Sequence, residues 1–402
     1  MRILVLTKQS PLGEAEVYGA DLMCRQVVEH LRAQRHQVTI LAPEGSQGGD
    51  RDGVAIRPRL VRDRPDPDLP PEQWRARHKL QFLLKARHNY LATRQALREA
   101  RPAVVYVSDL ELLTGSPLRA VQEAGVPMVF HAHDLTLRNV VGPEAGEAAP
   151  QGLKQTMLDW FLCPFRDRPA LLESRLLAVS QFMADEYRRA GWRAEAIRVV
   201  YNGIDERFFR EARRDLPAEP SILVVGRCVP DKGLHVAVEA LGRLAERGLR
   251  VKLELAGTFQ SAAYEAQIRD LAAHWGVAEQ VAQLGYVASR QMPEVYDRQV
   301  CTWVPSLGQE SFGLVSVESQ ARGTPVIVSA TGGLPETLQA GVTGLVVPEG
   351  DAAALAEATE RLLTDEPAWR AMSEAGREFA SCRFPVARMV AAVEESLVDA
   401  AG

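Results

Sequence analysis

Cysteine is scarce in this chain. Its 402 residues include five, Cys24, Cys163, Cys228, Cys301 and Cys382, widely spaced and with no CxxC pair. This argues against a disulfide framework or a cysteine zinc site and fits a reducing compartment. Long hydrophobic runs are also missing. No stretch approaches the ~20 apolar residues of a membrane span. The opening run at 3–6 is too short for the core of a signal peptide. Basic excess is absent too. Lys and Arg number 47 against 52 Asp and Glu, a net charge of −5, which argues against a nucleic-acid binder. These absences lead to the expectation of a soluble, cytoplasmic protein.

What is present is an alternation of β-rich runs and helical periodicity. Apolar runs at 3–6, 37–41, 104–107, 128–130 and 176–179 each lead into a loop, and most are followed by an amphipathic segment. That is the β-α-β pattern of a parallel sheet. The pattern restarts at Ser221, with runs at 221–225, 251–255, 301–304, 325–328 and 344–347. Helical segments are expected at about 233–247, 261–275, 313–322 and 352–364. The reading is α/β, with two doubly wound, Rossmann-like domains and a deep cleft where strand ends converge. The expected division is 1–195, 196–385 and a last helix in 386–402 that crosses back to the first domain. The linker is placed near 195–220, and the Pro-rich stretch 58–72 reads as a loop.

The most informative segment is 305–325. It follows a strand and enters a helix that Gly323 and Pro325 bring to an end. Glu310 falls in the loop and Glu318 in the helix. Carboxylates accept hydrogen bonds well from vicinal diols, and exposed amides at a helix start suit phosphate. Upstream, Arg227 and Lys232 flank a turn after a strand, where two cations can neutralise a diphosphate. Taken singly, each of these residues would read as ordinary surface charge.

The pattern as a whole resembles the retaining glycosyltransferases of family 4, which have the two-domain GT-B fold. Glu310 and Glu318 match the family's E-x7-E element, with Phe312-Gly313 and Gly323-Thr324-Pro325 around it. Three further stretches match in order: Val200 to Asp205, Val224 to Gly233, and Gly332 to Glu336 with Gly341 to Leu345. The resemblance implies an enzyme that moves a sugar from a nucleotide-diphosphate sugar. Arg227 and Lys232 would take the diphosphate, Glu318 the ribose diol and Glu310 the sugar hydroxyls. Phe312, Gly313 and Leu314 would offer backbone amides, and Tyr286 and Val287 would meet the base. Glu336 and Asn202-Gly203 read as structural.

The first half contributes Gly19, which matches the second glycine of the family's phosphate-facing loop. Tyr18 stands where the first glycine would be, which is a departure. His133, after the strand at 128–130, matches the family's histidine near the donor sugar. His131 would share its face in extended chain and reads as a packed residue. Ser180 reads as a helix N-cap. No metal or other cofactor is expected. The Asp66-Pro-Asp68 string lies in a Pro-rich loop with no strand before it and is discounted. The stretch 74–101 carries Arg75, Arg77, Lys79, Lys85, Arg87, Arg94, Arg98 and Arg101 among apolar side chains, against the single acid Glu99. It is a candidate for peripheral membrane contact.

The implied reaction is front-face displacement with retention, the departing diphosphate accepting the acceptor's proton. The acceptor stays open: a small metabolite, a natural-product intermediate, a glycan or a lipid. Three alternatives are a sugar-nucleotide epimerase, a phosphorylase and a non-catalytic sugar-nucleotide-binding module.

Overall fold

The computed structural model describes residues 1–8, 10–12, 19–43, 49–51, 53–61, 76–109, 115–135, 137, 171–209, 216 and 219–402. Tyr18, the Asp66/Asp68 pair, Trp74 and Arg75 lie outside them. The chain divides into two compact units, Met1–Tyr201 with Met389–Gly402, and Asn202–Arg388.

The first unit holds β1 (Arg2–Thr7), β2 (Gln37–Pro43), β3 (Gly49–Arg51), β4 (Val54–Leu60), β5 (Val104–Asp109), β6 (Met128–Ala132), β7 (Arg175–Ala178) and β8 (Ile197–Val199). They form one sheet in the order β3-β4-β2-β1-β5-β6-β7-β8. Every neighbouring pair is parallel except β3 with β4. Ile3, Leu4, Val5 and Leu6 are all but fully buried. A continuous apolar run of this kind marks a central parallel strand covered on both faces. The helix Gly19–Ala33 buries Met23, Val27, Val28 and Leu31. Ser180 caps Gln181–Arg189 by accepting from the Met183 amide at 3.1 Å. From the last helix, Val386–Ala401, the Glu394 carboxylate bonds His30 Nε2 at 2.7 Å and His36 Nε2 at 2.8 Å.

Two readings of this half need correction. The loop placed at 58–72 begins inside β4, where Pro58 pairs with Ala42. β3 reaches only as far as Ile56, so the missing N–H of Pro58 interrupts no ladder on that edge. β8 lies within the stretch expected as linker and belongs to the first sheet.

The second unit holds β9 (Ser221–Val225), β10 (Lys252–Ala256), β11 (Val281–Gly285), β12 (Cys301–Val304), β13 (Val326–Ser329) and β14 (Gly344–Val347). All are parallel, in the order β11-β10-β9-β12-β13-β14. Counted within the unit, this is the dinucleotide-fold order 3-2-1-4-5-6, and the strand order reverses between β9 and β12. Trp303 of β12 is fully buried and donates Nε1–H to Thr359 Oγ1 at 2.9 Å. The helices Leu234–Glu246, Ala262–His274, Leu314–Ala321 and Ala352–Thr364 lie where the periodicity places them. The helix Glu366–Arg383 and the strand β11 are additional.

Candidate functional site

In doubly wound sheets, ligands settle where the strand order reverses, outside the carboxyl ends of the strands. In the second unit this position is flanked by the loop after β9 and the loop after β12. Lys232 is on the first and Glu310 on the second. Lys232 Nζ lies 2.5 Å from Glu310 Oε2, which also accepts from Ser306 Oγ at 3.2 Å. Both side chains of the pair are partly buried. The backbone brings them together. Leu307 N–H donates to the Asp231 carbonyl at 2.7 Å. Gly233 has φ +66°, and a Cβ there would sit 1.9 Å from the Pro305 carbonyl oxygen. A residue with a side chain would therefore force the two loops apart.

The loop after β13 holds the other side of Glu310. Gly333 N–H donates to the Glu310 carbonyl at 2.7 Å. A Cβ on Gly332 would lie 2.1 Å from that same carbonyl oxygen. Thr331 Oγ1 donates to the Gly308 carbonyl at 2.8 Å. Arg227 is exposed, and its guanidinium takes no ion pair among the described residues.

Glu318 is bonded separately from that pair. It is partly buried on the helix Leu314–Ala321 and accepts from the Tyr296 hydroxyl at 2.8 Å. Burial pushes its carboxyl up to about 7, against the opposing pull of the Tyr296 bond and the Arg207 charge. The helix is pinned by buried bonds. Ser319 Oγ donates to Thr302 Oγ1 at 2.8 Å, and Gln320 Nε2 donates to the Thr337 carbonyl at 2.9 Å. Beyond the helix end, Arg322 forks onto both Asp297 oxygens at 2.8 and 2.6 Å. Gly313 precedes the helix with φ +109°. The Phe312 ring is buried against Phe384, 5.7 Å between centroids, so only its backbone can serve a ligand. Leu314 opens the helix. Tyr286 and Val287 follow β11 and Gly285, with the Tyr286 side chain exposed.

Tyr296, Ser306 and Arg207 were missed by the sequence reading. Ser306 adjoins the matched element. Tyr296 precedes Glu318 by 22 residues, and nothing local marks it.

In the first unit His131 belongs to β6 and His133 follows it. His131 is fully buried, with its Nδ1 2.8 Å from the Tyr106 hydroxyl. The two imidazoles lie 4.1 Å apart between centroids, tilted by 44°. Both ring nitrogens of His133 are buried without a hydrogen-bond partner among the described residues. Burial, reinforced by the Lys8 charge, pushes His133 down to about 3, so its ring is neutral at neutral pH. A neutral imidazole offers one donor and one acceptor. Gly19 opens the helix Gly19–Ala33 with φ +54°. No group of three or more His, Cys, Asp or Glu is gathered as a metal-ligand set among the described residues. No helix among them is long and apolar enough to cross a membrane.

The family model for glycosyltransferase family 4 matches residues 17–208, and that for the glycosyl transferases group 1 matches 205–379. The chain belongs to the family 4 glycosyltransferases. Among its curated relatives is a D-inositol 3-phosphate glycosyltransferase of Acidothermus cellulolyticus. It is 34% identical over 280 residues, 66% of this chain and 60% of that protein. A GDP-mannose-dependent alpha-(1-6)-phosphatidylinositol monomannoside mannosyltransferase of Mycobacterium tuberculosis is 30% identical over 221 residues, 51% of this chain and 57% of that one. The chain therefore spans less than two thirds of the length of the curated relatives it matches. Among solved structures, Anabaena HepE in complex with UDP-glucose superposes with a TM-score of 0.71 at 21% identity, covering 99% of each chain. That likeness establishes the GT-B fold of this family 4 chain.

Proposed function

We propose that this family 4 chain is a glycosyltransferase that moves a sugar from a nucleoside-diphosphate sugar to an acceptor with retention of configuration. The observation that carries the reading is the Lys232–Glu310 pair, with Arg227 nearby in sequence, at the order reversal of the second sheet. A cation and a sugar-binding carboxylate adjoin there, as a bond between sugar and phosphate requires. The family match and the relatives named for GDP-mannose and inositol phosphate support it.

In this reading Arg227 and Lys232 stabilise the negative charge that develops on the departing diphosphate. Glu310 takes hydroxyls of the transferred sugar and Glu318 the ribose. Backbone amides at 312–314, with Gly19, serve phosphate, and Tyr286 and Val287 flank the base. The proposed role of His133 is hydrogen bonding to a sugar hydroxyl as a neutral ring. The bond from the sugar's anomeric carbon to phosphate oxygen breaks. The acceptor oxygen bonds that carbon on the same face, and the acceptor's proton passes to the leaving phosphate. No metal is assigned a role.

A partner surface belongs to the same proposal. The helix Ala76–Ala100 exposes Arg77, Leu80, Leu84, Arg87, Leu91, Arg94 and Arg98, spaced alternately by three and four. That spacing puts all seven on one stripe. Leu80 and Leu84 are each 58% exposed and Leu91 50%. Leucines among arginines suit an anionic bilayer surface.

The direct test is a thermal-shift screen of UDP-, GDP- and ADP-sugars, followed by transfer assays with D-inositol 3-phosphate as the first acceptor. A donor that stabilises the fold is expected, with product of unchanged anomeric configuration by NMR. Inverted product would remove the retaining mechanism. Sugar-nucleotide isomerisation without an acceptor would replace the reading with an epimerase.

A further inference from the structure

Tyr296 lies outside every matched motif, yet its hydroxyl goes to a candidate donor-binding residue. The ring is fully buried and meets Phe208 edge-on at 6.3 Å. Its carbonyl accepts from Thr324 Oγ1 at 2.7 Å, and the next residue, Asp297, is clamped by Arg322. The phenol is therefore fixed from both sides. Its hydroxyl donates to Glu318 Oε2 at 2.8 Å. Burial and the neighbouring Glu318 push the phenol well above its ordinary range, so it remains a donor at every physiological pH. Glu318 Oε1 takes no hydrogen bond among the described residues.

A buried tyrosine hydroxyl needs an acceptor, and a backbone carbonyl would do. Here the acceptor is a carboxylate in costly surroundings. The bond has two effects. It favours the ionised form, which accepts hydrogen bonds and does not donate. It also removes rotamer freedom that a glutamate would otherwise lose on meeting its ligand.

We propose that Tyr296 is a positioning residue for the donor's nucleoside, holding Glu318 through Oε2 so that Oε1 is set to accept from a ribose hydroxyl. The inference rests on the reading of Glu318 given above. It predicts a ligand-selective defect, which a purely structural tyrosine would not produce.

The test uses the full chain and isothermal titration with GDP, UDP and ADP. The nucleotide that binds is then compared with its 2′,3′-dideoxy analogue. Tyr296→Phe keeps the ring and removes the hydroxyl. Its Kd for the ribonucleotide is expected to rise about tenfold, because Glu318 must then be ordered on binding and its ionised form is less favoured. The Kd for the dideoxy analogue is expected to change less than twofold. Equal weakening of both, or no change in either, overturns the proposal. Glu318→Gln separates the two levels. If it fails to weaken the ribonucleotide selectively, the ribose role of Glu318 falls and this inference with it. If it weakens the ribonucleotide and Tyr296→Phe does not, this inference alone falls. If Tyr296→Phe does not fold, a nucleotide-bound crystal structure of the unaltered chain decides. The Tyr296–Glu318 bond must persist with Oε1 on a ribose hydroxyl, and a broken bond refutes the idea.

Discussion

Lys232 Nζ and Glu310 Oε2, 2.5 Å apart, join the two loops on either side of the order reversal in the second sheet. A residue assigned to the diphosphate and one assigned to the sugar thus neutralise each other in the free protein. The pair fixes both side chains beside the order reversal. Removing one partner leaves a partly buried charge uncompensated, which shifts the other.

The two residues should therefore act as a unit. Lys232→Ala and Glu310→Ala are each expected to lower the transfer rate at least about 100-fold, the scale for losing one preorganised charge-stabilising group. The double variant should lose little more than either single one, since coupled residues are not additive. Circular dichroism should show all three folded. Full activity in either single variant would remove this pair from the site.

The ribose role proposed for Glu318 predicts pH-dependent donor binding. Its carboxyl sits at about 7 in the folded chain, raised by burial from an ordinary value near 4.5. In the proposed role the ionised form accepts from the ribose, so nucleotide affinity should rise with pH through 7 and then level off. Stability runs the other way. The folded state holds a proton that the unfolded state has released between about 4.5 and 7, so this group's contribution falls as pH rises across that window. Glu318→Gln does not titrate. The melting temperature of the unaltered chain minus that of Glu318→Gln should decline from pH 4.5 to 7. A flat difference would show that the carboxyl is not raised.

His133 carries the opposite sign. Its folded value of about 3 lies below the ordinary 6.5. The unfolded state binds the extra proton first, so this group's contribution is intact above 6.5 and fades as pH falls towards 3. His133→Asn, which titrates nowhere in that window, should narrow its stability deficit as the solution is acidified from 6.5. A constant deficit would mean the ring already titrates normally in the fold.

The central strands of both sheets, the loop positions of Lys232 and Glu310 and the helix position of Glu318 were legible because each depends on a local signal. Central parallel strands are continuous apolar runs, as at Ile3 to Leu6. Site residues in open α/β folds sit in the loops that follow such runs. What escaped was non-local or weakly patterned. β11 reads Val-Ala-Gln-Leu-Gly and is an edge strand with no fully buried residue, so it needs no continuous apolar run. β3 has three residues and takes its conformation from pairing with β4. Tyr296 looks like any core aromatic until the helix Leu314–Ala321 packs beside it and aims Glu318 at its hydroxyl.

Gly233 separates backbone strain from loop approach. Alanine there meets a φ of +66° and a carbonyl oxygen at 1.9 Å. Gly341 has a similar φ of +77° with nothing within 4 Å. Gly341→Ala should cost about 1 kcal/mol from left-handed strain alone. Gly233→Ala should exceed it by about 2 kcal/mol or more and lower transfer as well, because relief pushes Lys232 from Glu310. Urea midpoints measure the first effect and initial rates the second. Equal costs at the two glycines would show that the loops yield freely.

The stripe on Ala76–Ala100 makes the last prediction. Each leucine moved from water into the interfacial region of a bilayer contributes up to about 1.5–3 kcal/mol, and each arginine near an anionic surface about 1 kcal/mol. The full chain should float with vesicles containing phosphatidylglycerol and remain behind with phosphatidylcholine alone. Raising the salt to molar levels should weaken the first association by screening the arginines. Leu80→Asp with Leu84→Asp should abolish flotation without lowering the melting temperature, since both side chains are already exposed. Single-turnover transfer to a water-soluble acceptor should be unaffected by the same change, because the stripe is assigned to docking and not to chemistry. Flotation that survives the double substitution would move the docking surface elsewhere. Flotation independent of lipid charge would remove the arginines from it.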